Sequence, residues 1–96
     1  PTVVAGAEHV WHQYTVRVPS DRDGFAAALA QEHGVGSGVY YPIPNHALPS
    51  FGLTLDLPET ERACAEVLSL PVHPALSERE LHRVVEGVNA LAKAGA

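Results

Sequence analysis

The sequence predicts an α+β two-layer sandwich. A small, mainly antiparallel sheet of three strands would carry about three helices on one face. Three observations lead there. Residues 10–18 alternate with a period of two. The last third of the chain holds an apolar stripe at helical spacing. Between them the element signals run strand, helix, strand, loop, helix, strand, helix within 96 residues, which is room for a single domain.

Residues 1–9 are small and patternless and read as a lead-in. In the first strand, Val10, His12, Tyr14, Val16 and Val18 share one face, and Trp11, Gln13, Thr15 and Arg17 share the other, until Pro19 ends it. Among valines and Tyr14, His12 reads more readily as a core histidine than as a catalyst, and Trp11 on the polar face awaits cover from a helix or a partner domain. Ser20 is placed to N-cap the following helix, with Asp23 three residues on. Phe25, Ala28, Leu29 and Glu32 follow at helical spacing, Gly24 weakens the first turn, and Gly34 ends the helix. Ser37–Tyr41 is a short second strand, and residues 42–56 form a proline-rich loop. The second helix starts at Pro58, with Glu59 and Glu61 in its first turn, and runs to about Val67. Residues 68–72 make the third strand. The last helix is the best marked. Ser77 and Glu80 form a capping box, Leu76 and Leu81 a hydrophobic staple, and Leu81, Val84, Val85, Val88, Leu91 and Ala92 a single stripe.

Composition narrows the function. The net charge is −5, and the five arginines and one lysine are scattered, so the counterion-displacing basic stripe of a nucleic-acid binder is missing. No apolar run is long enough to span a membrane, and no signal-peptide pattern is present. Cys64 is the single cysteine, which suits a reducing, cytoplasmic setting. The histidines lack metal-ligand spacing: His9 and His12, three apart on a strand, point to opposite faces. Gly36-Ser37-Gly38 lacks the Lys-Ser/Thr pair of a phosphate loop and leads into a strand rather than a helix.

The segment Gly34–His46 is the strongest functional signal. It holds three alternate glycines, Tyr40 and Tyr41 side by side, Pro42 and Pro44, and then His46. Glycine permits close backbone approach and proline stiffens the loop, so aromatic rings and an imidazole are presented on a rigid frame, as a ligand-facing or interface loop requires. Lys93 lies at a helix end with no desolvated pocket around it, so it is no candidate for a Schiff base.

Three ordered stretches, His9–Arg17, Gly34–His46 and Glu66–Pro74, together resemble the C-terminal part of the DegT/DnrJ/StrS sugar aminotransferases, from about His9 to Leu91. The resemblance implies the small C-terminal domain of the fold-type-I, aspartate-aminotransferase architecture. Residues 1–96 would then be one domain of a longer enzyme, partnered by the large cofactor-binding domain of the same polypeptide. The family implies pyridoxal phosphate, a homodimer, and transfer of an amino group, commonly from glutamate, to a nucleotide-linked keto sugar in deoxyamino sugar biosynthesis. The cofactor lysine would lie outside these residues, so the isolated chain is expected to bind no cofactor, to be inactive, and to expose an apolar face. Carried over by position, Tyr40, Tyr41 and His46 would approach the sugar nucleotide, with His12 near or supporting them. No catalytic, cofactor or metal residue carries over. Asn45 and Leu48 depart from the family pattern, and residues 50–57 form a shorter connection than usual. Dehydratase relatives share this domain, so these residues do not separate the two branches. The competing expectation is a stand-alone α+β ligand-binding or regulatory module derived from the same domain.

Overall fold

The computed structural model describes residues 1–94. Its elements are β1 (Tyr14–Arg17), α1 (Arg22–His33), single 3-10 turns at Asn45–Ala47 and Pro49–Phe51, α2 (Pro58–Glu66), β2 (Val67–Leu70) and α3 (Glu78–Ala94). β1 and β2 pair antiparallel, Tyr14 opposite Leu70 and Arg17 opposite Val67. The architecture is α+β, with three helices and a two-stranded sheet.

The expected third strand at residues 37–41 shrinks to one bridge. Gly38 N–H donates to Ser69 O at 2.9 Å and Ser69 N–H returns to Gly38 O at 2.8 Å. Tyr40 and Tyr41 are exposed and unpaired beyond it, and Pro42 and Pro44, further on, cannot donate to a ladder. The sheet thus has two strands and a one-residue extension in place of three strands.

The first strand also begins later than the alternation suggests. Trp11 adopts a left-handed backbone (φ 51°), its N–H donates to His9 Nδ1 at 2.7 Å, and its ring stacks on His9 with centroids 3.9 Å apart. This curl removes residues 10–13 from the strand and leaves Val10 89% exposed. His12 is exposed as well, and is not a core histidine. From Tyr14 onward the alternation holds: Tyr14, Val16 and Val18 face inward while Thr15 and Arg17 face out.

Asp21, not Ser20, caps α1. It sits at φ 51° and accepts a hydrogen bond from Gly24 N–H at 3.2 Å. A Cβ on Gly24 would collide with that carboxylate. The glycine that lowers helix propensity is what admits the cap. Gly34 ends the helix at φ 66°, and Val35 N–H turns back to Leu29 O at 3.0 Å.

Val18, Leu29, Val35, Leu68 and Leu70 form the buried core, flanked by Phe25, Val84 and Leu91 among others. Gly87 lets α3 cross close to α1, since a Cβ there would lie 3.0 Å from His33 Cβ and 3.2 Å from Leu29 Cδ2. Arg22 joins α1 to the junction of α2 and β2. Its buried guanidinium donates from Nη1 to Cys64 O (3.0 Å) and Val67 O (2.8 Å). The capping box of α3 forms as expected: Glu80 N–H donates to Ser77 Oγ at 3.1 Å and Ser77 Oγ meets Glu80 Oε1 at 3.0 Å. Along the stripe of α3, Val84, Val88 and Leu91 are half-buried, whereas Leu81 and Val85 stay exposed.

Candidate functional site

The β1–β2 register brings three distant segments around one cleft of about 350 Å³. His12 and Gln13 enter from before β1. Gly36, Ser37, Gly38 and Tyr40 come from the glycine-rich segment, and residues 69–73 from the end of β2. Ser69 is the hinge pin of this assembly. Its backbone bridges Gly38, while its hydroxyl lies 3.0 Å from Thr15 Oγ1 on the opposite neighbour. The absence of side chains at Gly36 and Gly38 keeps the cleft open. A Cβ on Gly38 would touch the Tyr40 ring at 3.3 Å.

The structure brings His12 and Tyr40 together on the cleft wall. Tyr41 is 65% exposed and is not part of that lining. His46 is turned inward: it is buried, its Nε2 has no hydrogen-bond partner, and Glu61 Oε1 lies 3.8 Å from it. Gln13, Ser37 and His73 also line the cleft and were not singled out from the sequence. Gln13 directly precedes β1 and His73 lies three residues after β2, positions at strand ends that could have marked them, whereas Ser37 lies in the glycine-rich segment. The cleft can offer hydrogen bonds from two imidazoles, a phenol, an amide and hydroxyls, which suits a polyhydroxylated or anionic ligand.

Two apolar grooves of about 420 Å³ each flank α3. Val72, Leu81 and Val85 leave the first open. Phe51, Leu53, Leu55 and Leu57 are each 42–57% exposed. Among the described residues, no three His, Cys, Asp or Glu side chains converge as a metal site, and no helix is long and apolar enough to cross a membrane.

The lone lysine, Lys93, is exposed in the last turn of α3 and lines none of these cavities. The side chains of this chain therefore do not fit the covalent seat of an aldehyde cofactor.

The family model of the DegT/DnrJ/EryC1/StrS aminotransferases matches residues 1–89. The chain belongs to that family. It is 45% identical over 92 residues to the "pleiotropic regulatory protein" of Geobacillus stearothermophilus, covering 92% of this chain and 24% of that protein. It is 38% identical over 91 residues to the dTDP-3-amino-3,6-dideoxy-alpha-D-galactopyranose transaminase of Aneurinibacillus thermoaerophilus, covering 93% and 24%. Among solved structures, NtdA from Bacillus subtilis, with bound cofactor PMP, superposes with a TM-score of 0.78 at 35% identity, over 88% of this chain and 21% of NtdA. The chain thus spans about a quarter of the length of the family members it matches.

Proposed function

We propose that this chain is the small, substrate-enclosing C-terminal domain of a pyridoxal-phosphate-dependent nucleotide-sugar aminotransferase. One observation carries this reading. The likeness to aminotransferases runs through nearly the whole chain yet occupies only a quarter of each relative, while the chain's one lysine is exposed and does not line the cleft. In this reading the large domain of the same polypeptide supplies the lysine and the cofactor supplies the electron sink for amino transfer. These residues supply one wall of the substrate site. His12 and Tyr40 face the sugar nucleotide as hydrogen-bond donors, and Tyr41 and His46 belong to the same loop. The open groove along α3 and the apolar residues 51–57 are the surfaces that meet the large domain and a second subunit.

The test has two halves. The longer polypeptide, purified with pyridoxal phosphate, should aminate a keto-sugar nucleotide at the expense of glutamate. The 96-residue chain alone should neither transfer an amino group nor retain cofactor after borohydride reduction. Stoichiometric reduced cofactor on Lys93, found by peptide mass, would overturn the proposal.

A further inference from the structure

His46 carries a feature that the cleft does not use. Its side chain is only 8% exposed, and Nε2 is buried without a hydrogen-bond partner. A buried imidazole nitrogen left unpaired loses its hydration and gains nothing in exchange. Glu61 Oε1, in the first turn of α2, stands 3.8 Å away on a side chain that is 47% exposed. That separation is too long for a hydrogen bond but within ion-pair range, and an exposed glutamate can rotate to close it.

The surroundings show what the pair would hold. The His46 turn is closed by Ala47 N–H to Pro44 O at 2.9 Å and Leu48 N–H to Asn45 O at 3.2 Å. Among the described residues, every hydrogen bond that residues 41–56 make stays within that stretch. Polar anchoring of the stretch to a regular element therefore falls to His46 and Glu61. The stretch begins at Tyr41, next to the cleft residue Tyr40.

We infer that Glu61 is a positioning residue whose carboxylate clasps the protonated Nε2 of His46 and so fastens the proline-rich loop, with the tyrosine pair at its root, onto α2. The clasp needs the proton on Nε2. The alternative tautomer would aim a lone pair at the carboxylate. The inference stands on the geometry of this chain and does not depend on the aminotransferase reading.

Long-range proton–nitrogen correlation spectra of the histidine rings, recorded on the unaltered protein at neutral pH, test it without any substitution. A protonated Nε2 on His46 is expected, and an unprotonated Nε2 overturns the clasp. Amide exchange at Ala47 and Leu48 then tests the coupling in Glu61→Ala, His46→Asn and the double variant. Each single change should speed exchange about tenfold, the factor expected for one lost hydrogen bond, and the double variant should exchange no faster than the singles. In Glu61→Ala only the His46 ring signals among the six histidines should move. Multiplicative effects in the double variant, or His46 signals indifferent to Glu61, would refute the role.

Discussion

Replacing Arg22 with methionine tests how α1 is tied to the junction of α2 and β2. The guanidinium is 9% exposed as a side chain and bonds two carbonyls, Cys64 O in the last turn of α2 and Val67 O at the start of β2. Cys64 O is one of the terminal helix carbonyls with no partner inside α2. Methionine keeps the stem volume but removes both donors. Hydrogen bonds from a charged donor contribute about 1.5–3 kcal/mol each, and releasing the guanidinium from a desolvated position recovers part of that, so a net loss of about 3 kcal/mol is expected. Stability for a chain of this length is about 5–14 kcal/mol, so the loss is a large share and lowers Tm by roughly 12–24 °C. Arg22 Nε also pairs with Asp23 Oδ1 at 2.8 Å, but the Asp23 side chain is 86% exposed. Asp23→Ala should therefore cost less than about 1 kcal/mol. Urea unfolding followed by circular dichroism separates the two. If Arg22→Met unfolds within about 0.5 kcal/mol of the parent, the level of an ordinary surface change, the carbonyl bonds do not tie α1 to that junction. If Asp23→Ala costs as much as Arg22→Met, the exposed ion pair carries the effect and the reasoning fails.

Gly87→Ala should destabilise by about 1–3 kcal/mol through overpacking against His33 and Leu29, despite alanine's better helix propensity; stabilisation in the same urea assay would show that the crossing has slack. Ser77→Ala should cost about 1 kcal/mol by opening the capping box of α3, with amide exchange rising first at Glu80 and Leu81. If the chain is the substrate-enclosing domain proposed above, then in the full-length enzyme Tyr40→Ala should raise the KM for the sugar nucleotide about tenfold, as loss of one substrate hydrogen bond does, while Lys93→Ala leaves kcat unchanged. An unchanged KM would remove Tyr40 from the substrate wall.

Local signals were legible in the sequence where one short stretch decides the outcome. The Ser77–Glu80 box, the Gly34 stop and the Pro58 start all lie where the pattern puts them, because each depends on backbone groups within one turn. Ser20 and Asp21 are adjacent and both able to cap; the choice falls to Asp21 because Gly24 leaves space for its carboxylate, a contact that helix propensity does not encode. The first strand lost its opening residues to Trp11, whose left-handed backbone no alternation pattern reveals. The third strand shrank to a single Gly38–Ser69 bridge, and where pairing stops along residues 39–41 is not written in their local pattern. For the site, Tyr40 and His12 were singled out from the sequence and share the cleft. His73 joins them only through the register of β1 with β2, a pairing more than fifty residues long in sequence. His46 sits in a stretch that reads as presented outward, and its burial against α2 depends on a helix the local pattern cannot see.

The curl at the start of β1 has a practical side. The chain's one tryptophan is held against the His9 ring, 5.1 Å from the Tyr14 ring, and one residue before a wall of the cleft. Its indole is thus an intrinsic optical probe seated beside the place where a ligand would settle. Any event that shifts His12 or unstacks His9 should alter its emission, so in the 96-residue chain a change at the cleft can be read from native fluorescence, with no label attached and no second tryptophan among these residues.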